Sequence, residues 1–274
     1  MLPGVDHLRH THGFQDNLFA KGEPLHHGHE LADELERIVT LHDASNIAAV
    51  VVDPVSASGG VLVPPKGYLA RLREICTRHG ILLVFDEVIT GWGRLGKPFA
   101  AQHFGIEPDL ITFAKGVTSG AVPLGGVIAK DFIYEAFTRG KQPGIEFFHG
   151  YTYSGHPLAC AAGIAALDTY EEEALFKKPA ALAKHFENGI HAFKGLPHVV
   201  DCRNLGLIGA VELASGKTYG ARAMAVFDKC WEKGVFVRPV GDSLAFCPPL
   251  IAENKHLDLM FGVVAETIRS TPPS

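Results

Sequence analysis

Apolar runs of strand length alternate with helix-length segments through the first half of the sequence. Residues 47–52 form an apolar run that stops at Asp53 and Pro54, and residues 81–85 and 110–114 form two more. Residues 67–79 separate the first two runs and are followed by Gly80, which suits the C-cap of a helix. Buried strands joined by helices are typical of a parallel sheet with right-handed crossovers, so the sequence predicts an α/β fold.

The pattern changes in the second half of the chain, where strands and helices are more mixed. Residues 1–27 are expected to be irregular, and residues 125–129 are a candidate for a further strand. Predicted helices cover 29–42, 157–173, 179–193, 219–233 and 254–268, and predicted short strands lie near 207–213, 235–238 and 243–247. We therefore expect two domains, a large one over residues 1–175 and a small α+β domain over residues 176–274.

Composition excludes several classes of function. The 274 residues carry a formal net charge of −5 and no basic stripe, so nucleic acid is not expected as a partner. The longest apolar run, residues 158–167, is too short to span a membrane. The five cysteines are widely spread and form no Cys-x-x-Cys pair, so neither a disulfide framework nor a cysteine zinc site is indicated. A reducing, cytoplasmic location is expected.

Charged residues follow two of the predicted parallel strands directly. Asp86 and Glu87 come after the run at 81–85, and Lys115 comes after Ala114. Ligands of parallel sheets bind outside the carboxyl ends of the strands, where glycines also cluster in this sequence. The pattern alone leaves two interpretations equally open: a buried ion pair that stabilises the sheet, or a catalytic acid and amine.

Four motifs in fixed order resemble those of a known family. They are Asp-Glu-Val-Ile-Thr-Gly-Trp-Gly-Arg at 86–94, Pro-Asp-Leu at 108–110 leading to Ala-Lys-Gly at 114–116, His-Gly-Tyr-Thr-Tyr-Ser-Gly-His-Pro at 149–157, and Val-Arg-Pro-Val-Gly-Asp at 237–242. Across essentially the whole chain, the sequence resembles class III (subgroup II) pyridoxal-phosphate-dependent aminotransferases, most of all the ω-amino acid:pyruvate (β-alanine:pyruvate) branch. The resemblance implies a fold type I α/β transferase with a mainly parallel sheet.

The resemblance also implies roles for residues near the strand ends. Lys115 matches the lysine whose amine forms the aldimine with pyridoxal 5′-phosphate and then moves the substrate proton. Asp86 matches the carboxylate that keeps the pyridine nitrogen protonated, and Val88 matches a residue that packs against the ring. The implied reaction is a ping-pong transfer of an amino group from an ω-amino acid or amine to pyruvate.

Two further positions follow from the same resemblance. Thr152 matches a threonine that reaches the cofactor phosphate of the neighbouring subunit, which implies a homodimer or a higher homo-oligomer. Arg238 matches an arginine that binds a substrate carboxylate, a task suited to a planar two-pronged donor. The sequence departs from the family at Trp92, where phenylalanine is more usual, and at Asp53, where most relatives have glutamate.

Relatives carry a long N-terminal portion that does not align with these 274 residues. In the family it holds the loop that binds the cofactor phosphate, so a large domain without it is expected to be incomplete and its activity impaired. A non-catalytic fragment or partner subunit of a split aminotransferase is therefore an alternative. A second alternative is a metal-binding module built from the histidine-rich start, which includes His10, His12, His26, His27 and His29. No metal site is expected there, because acidic or cysteine partners at settled spacing are missing.

Overall fold

Two four-stranded sheets organise the protein, and the strands of the second all follow those of the first along the chain. The computed structural model describes residues 3–139 and 149–271 of the 274. Residues 3–27 contain one short 3-10 turn, Gln15–Asn17, and are otherwise irregular, as predicted. The α/β fold predicted from the alternating runs is confirmed.

The first sheet has the spatial order β1-β2-β3-β4. Its strands are β1 (Ala49–Val52), β2 (Leu82–Asp86), β3 (Leu110–Phe113) and β4 (Gly126–Ala129). The first three are parallel, whereas β4 runs antiparallel to β3. Because three neighbouring strands point the same way, their carboxyl ends lie at one end of the sheet.

Helices cover one face of this sheet. They are α1 (Gly28–His42) and α2 (Tyr68–His79), which pack their leucines and isoleucines against Leu83 and Phe85 of β2. The helix α2 ends where predicted: Gly80 has a φ of 67°, and its N–H donates to the carbonyls of Cys76 and Thr77. The shorter helices α3 (Ala100–Phe104) and α4 (Asp131–Thr138) were not predicted.

The opposite face of the first sheet, which carries Asp86, is partly uncovered. Val51 of β1 is 68% exposed and Val127 of β4 is 58% exposed. In the strand register, Val51 lies opposite Val84, which is two residues before Asp86 on β2. Thr112 lies opposite Asp86 on one side and opposite Val127 on the other. All these side chains therefore share the face that carries Asp86. Sheets of this kind are normally covered on both faces.

The second sheet is antiparallel throughout and has the order β5-β6-β8-β7. Its strands are β5 (Val199–Leu205), β6 (Ile208–Leu213), β7 (Arg238–Val240) and β8 (Ser243–Phe246). The helices α6 (Lys178–His191), α7 (Ala221–Glu232) and α8 (Asn254–Arg269) pack on it around a core of phenylalanine and aliphatic side chains. The helix α5 (Pro157–Glu172) precedes this sheet in the chain.

In this region, one predicted strand needs correction and one observed strand was not predicted. The strand predicted near 235–238 is displaced, because only Arg238, Pro239 and Val240 pair with β8. Val235 and Val237 are buried while Phe236 is exposed, so burial alternates as in a strand without a ladder partner. The strand β5 was missed because Asp201, Arg203 and Asn204 interrupt its apolar pattern, although all three are buried.

A third, smaller core cluster joins the second sheet to segments that connect the strands of the first. Leu205, Ile208 and Ala210 pack there with Val61 and Leu95. Beside it, the guanidinium of Arg203 donates to the carbonyl of Gly60 at 2.7 Å. Among the residues described, none of the helices is long and apolar enough to cross a lipid bilayer.

Candidate active site

The carboxyl ends of the three parallel strands bring together three charged residues. Val52, the last residue of β1, lies opposite Phe85, so the next residues on the two strands are Asp53 and Asp86. Asp86 in turn lies opposite Thr112 of β3, and Lys115 follows three residues later. We call Asp53, Asp86, Thr112 and Lys115 the strand-end site.

The pKa of Asp53 depends on the charges of Asp86 and Lys115. Burial raises the pKa of Asp53, the carboxylate of Asp86 raises it further, and the ammonium group of Lys115 lowers it. A carboxylate near a like charge is harder to ionise, and a nearby cation has the opposite effect. The side chains of Asp86 and Lys115 therefore both lie within interaction range of Asp53.

Asp86 and Lys115 carry few internal partners. The carboxylate of half-buried Asp86 accepts the backbone N–H of Val88 at 3.0 Å. Among the residues that the structure describes, the amine of exposed Lys115 forms neither a hydrogen bond nor an ion pair. The ion pair that the sequence left open as a structural alternative is therefore not formed between Lys115 and Asp86.

Thr112 adds an unsatisfied polar group to the site. Its hydroxyl is buried and has no hydrogen-bond partner within the described part of the chain. Buried polar atoms are nearly always hydrogen-bonded, and an orphan beside a charged pair is a candidate ligand contact. A carboxylate, a free amine and an unpartnered hydroxyl fit the protonated ring nitrogen and the carbonyl of pyridoxal 5′-phosphate.

Glu87, which the sequence placed beside Asp86, lies outside this site. It is fully buried, and its carboxylate accepts the backbone N–H groups of Ala100 at 2.5 Å and Ala101 at 2.8 Å. The hydroxyl of Thr90 donates to it at 3.1 Å. Burial raises the pKa of Glu87, and the three hydrogen bonds partly offset that rise. Glu87 thus anchors the N-terminus of α3.

The backbone at Lys115 is unusual for a residue with a side chain. Lys115 has a φ of 46°, in the left-handed region, and begins the short turn Lys115–Val117. Such conformations cost about 1–3 kcal/mol and cluster at functional sites. The next residue, Gly116, lies against Trp92: a Cβ built on it would be only 2.5 Å from the Trp92 Cβ.

Thr152 and Arg238, the other two predicted site residues, are both exposed. Thr152 is exposed in the turn before α5, and Arg238 is exposed at the start of β7, opposite Ala245. In the described ranges, neither forms a hydrogen bond or ion pair with Lys115 or Asp86. Their roles remain predictions, as do those of Lys115, Asp86 and Val88.

Neither Asp53 nor Thr112 was predicted from the sequence to belong to the site. Asp53 carries the same signal as Asp86, a carboxylate at the end of an apolar run, and could have been found by that rule. Thr112 could not, because its register opposite Asp86 and its missing partner are visible only in the structure.

A group of potential metal ligands lies elsewhere, at His12, Asp201 and Glu212. The guanidinium of Arg203 already donates to Asp201 at 2.7 Å and to Glu212 at 2.6 Å. Of the described histidines in the proposed metal module, only His12 belongs to such a group. Arg203 therefore already forms an ion pair with each of the two carboxylates of this group.

Comparison with known proteins identifies the family. Residues 10–268 match the family described as "Aminotransferase class-III". The chain is 56% identical over 98% of its length to the omega-aminotransferase of Caulobacter vibrioides, and 50% identical over 97% to the beta-alanine–pyruvate aminotransferase of Pseudomonas aeruginosa. It covers 60% of each of these proteins, so it spans about three fifths of their length.

The fold agrees with solved structures of the same kind. An engineered thermostable omega transaminase superposes with a TM-score of 0.92 and 32% identity, over 99% of this chain and 62% of that one. The α/β fold with a mainly parallel first sheet, implied by the sequence motifs, is thereby confirmed. The resemblance seen in the sequence is confirmed too: this chain belongs to the class-III aminotransferase family.

Proposed function

We propose that this chain carries the catalytic acid and amine of a pyridoxal 5′-phosphate-dependent ω-amino acid:pyruvate aminotransferase. The observation that carries the proposal is the strand-end site, where Asp86 and Lys115 both act on Asp53. Family membership supports it, and the names of the similar proteins point to an amino donor and pyruvate as substrates. A cytoplasmic location is part of the same proposal.

When bound, pyridoxal phosphate supplies an electron-withdrawing ring that stabilises negative charge on the substrate carbon. Asp86 holds a proton at the ring nitrogen, which maintains that electron demand. The amine of Lys115 would hold the cofactor between turnovers and, when free, would accept the proton of the substrate carbon and donate it to a neighbouring carbon. Positioned proton transfer of this kind contributes about 10²–10⁴-fold to the rate.

Other residues of the chain hold the cofactor and the substrate. Val88 lies two residues after Asp86 and packs against the ring. Thr152 donates its hydroxyl to the phosphate in the partner subunit, so the active form is a homodimer or a higher homo-oligomer. Arg238 binds the substrate carboxylate with two parallel N–H donors. The domain division at residues 175 and 176 belongs to the proposal, since β1–β4 precede it and β5–β8 follow it.

A second candidate is a non-catalytic fragment, or one subunit of a split aminotransferase. It is favoured by the uncovered sheet face, on which Val51 and Val127 are both more than half exposed. The chain also covers only 60% of the relatives it matches. A phosphate dianion requires several N–H donors, and Thr152 offers a single hydroxyl.

Reductive labelling tests the role of Lys115. The purified chain is incubated with pyridoxal 5′-phosphate, reduced with borohydride and mapped by peptide mass spectrometry. We expect the label on Lys115 and its loss in Lys115→Arg, whereas Lys130→Arg, at a lysine 40% exposed, retains it. Labelling spread over surface lysines without preference for Lys115 would contradict the proposal.

Turnover separates the two candidates. Formation of alanine from pyruvate and β-alanine is measured with the chain alone. Turnover by the unreduced chain, in a preparation whose reduced aliquot is labelled at Lys115, supports the enzyme and contradicts the fragment. Labelling without turnover supports the fragment or split subunit.

A further inference from the structure

We propose that Tyr170 and Trp92 are positioning residues that hold the Lys115 backbone and thereby direct its amine to the strand-end site. This inference rests on the proposed function, in which Lys115 is the reactive amine. Both act on Lys115 through Gly116, the residue that follows it.

The Lys115 turn needs external support. Lys115 has a φ of 46°, and left-handed conformations cost a non-glycine residue about 1–2 kcal/mol. Ser119, four residues later, is also left-handed, with a φ of 51°. Without restraint, the backbone of Lys115 would relax to an ordinary negative φ, and its side chain would point in another direction.

Tyr170 supplies one restraint from a distant part of the chain. Its hydroxyl donates to the carbonyl oxygen of Gly116 at 3.0 Å. Tyr170 lies near the end of α5 and is only 5% exposed, so its ring is fixed by packing. The hydrogen bond fixes the orientation of the peptide group between Gly116 and Val117, one residue beyond Lys115.

Trp92 supplies a second restraint from the loop after β2. The distances of 2.5 and 2.7 Å from a Cβ built on Gly116 to the Trp92 Cβ and Cγ show how closely Trp92 lies on that glycine. Trp92 is itself left-handed, with a φ of 63°, and its N–H donates to the carbonyl of Pro98 at 2.6 Å.

Ring contacts join the two restraints into one unit. The ring of Trp92 stacks on Tyr170 at 6.0 Å and meets Phe113, the last residue of β3, edge-on at 5.6 Å. Tyr170 stacks on Phe176 at 4.9 Å with an interplanar angle of 3°. We call Trp92, Phe113, Tyr170 and Phe176 the aromatic clamp. Two of its members, Trp92 and Tyr170, contact Gly116, the residue after Lys115.

The test uses Tyr170→Phe, which removes the hydroxyl and retains the ring. The chain is incubated with pyridoxal 5′-phosphate and reduced with borohydride over a range of pH, and labelling of Lys115 is divided by that of Lys130 in the same sample. We expect this ratio to fall about fivefold, which corresponds to the loss of one hydrogen bond. The matched control is Tyr134→Phe, at a tyrosine 70% exposed, which leaves the ratio unchanged.

The outcomes separate this inference from the proposed function. If the unaltered chain shows no preference for Lys115, the proposed function fails. If it shows the preference and Tyr170→Phe keeps the same ratio across the pH range, the inference is overturned. General loosening of the fold would also lower this ratio, so circular dichroism and urea denaturation first establish that Tyr170→Phe is folded and as stable as the Tyr134→Phe control.

A second variant guards against a folding defect. Trp92→Ala removes the Cγ and the ring beside Gly116 and should lower the same ratio, whereas Trp92→Phe retains a Cγ and a ring and should preserve it within about twofold. Equal ratios in Trp92→Ala and Trp92→Phe would overturn the role of Trp92.

Discussion

Asp86 and Glu87 are consecutive in the chain, yet their carboxylates lie in different surroundings. Glu87 is fully buried and accepts the backbone N–H of Ala101 at 2.8 Å, whereas Asp86 is half-buried at the strand-end site. Adjacent residues at the end of a strand point in opposite directions, so one acid stabilises the fold and the other remains available.

The different task of Glu87 leads to a stability prediction. Glu87→Ala removes the acceptor of two helix N-terminal N–H groups and of the Thr90 hydroxyl, so we expect it to lower the free energy of unfolding by about 2–4 kcal/mol. Urea denaturation followed by circular dichroism measures the change. Glu107→Ala, at a side chain 90% exposed, should change it by less than about 0.5 kcal/mol. Equal effects of the two variants would contradict the capping role.

The lowered pKa of Glu212 predicts that the stability of the fold depends on pH. Burial alone would raise its pKa, but the hydrogen bond from His12 and the positive charge of Arg203 lower the pKa of Glu212 to about 2. A carboxyl group whose pKa is depressed on folding stabilises the protein above its unfolded pKa, and this contribution disappears as the pH falls through the folded pKa. The window for Glu212 therefore runs from about pH 4.5 down to about pH 2.

The test compares the unaltered chain with Glu212→Gln by urea denaturation across that window. We expect the variant to be less stable by about 2–3 kcal/mol above pH 5, with the difference vanishing near pH 2. Glu171→Gln, at an exposed carboxylate, should follow the unaltered chain throughout. If the loss of stability in Glu212→Gln were the same at every pH, the variant would have lost packing and not a charge interaction, which would contradict the prediction.

Substitution of glycine by alanine is expected to have opposite effects on stability at Gly116 and at Gly262. Gly116→Ala places a Cβ 2.5 Å from the Trp92 Cβ, so it should destabilise the fold by about 1–3 kcal/mol and reduce labelling of Lys115. Gly262→Ala adds a Cβ in open space within α8 and should stabilise it by about 0.5–1 kcal/mol. Thermal unfolding compares them, and a neutral Gly116→Ala would refute the close packing on Trp92.

Thiol reactivity tests the burial of the five cysteines. Cys160 and Cys247 are exposed, whereas Cys76, Cys202 and Cys230 are buried. Burial raises the pKa of Cys76 to about 11 and that of Cys202 to about 12, which keeps both as unreactive thiols. We expect the folded chain to react with a chromogenic disulfide at two thiols and the unfolded chain at all five. Rapid reaction of a third thiol before unfolding would contradict this core.

The parallel strands were predictable because their apolar runs are long and end at turn residues. The pairing of β1, β2 and β3 followed from the crossover rule, and with it the meeting of Asp86 and Lys115 at one end of the sheet. The strand β5 was not predictable, since its buried Asp201 and Arg203 satisfy each other only after folding.

The surroundings of Lys115 were equally hidden from the sequence. Trp92 was noted only as a departure from the family, and Tyr170 lies 54 positions from the glycine it contacts. No periodicity reports such long-range contacts. Nor does it reveal that Lys115 itself adopts a left-handed backbone, which a sequence rule would assign to a glycine.

The helix α5 connects the segment that contains Thr152 with Tyr170 of the aromatic clamp. It is 16 residues long, which corresponds to about 24 Å, with Thr152 just ahead of its first turn and Tyr170 in its last. Its outward side presents Leu158, Ile164 and Leu167, all between 47% and 62% exposed. In the proposed oligomer, a displacement of α5 along its axis would therefore carry a change at the subunit contact of Thr152 to the Gly116 carbonyl that accepts the Tyr170 hydroxyl.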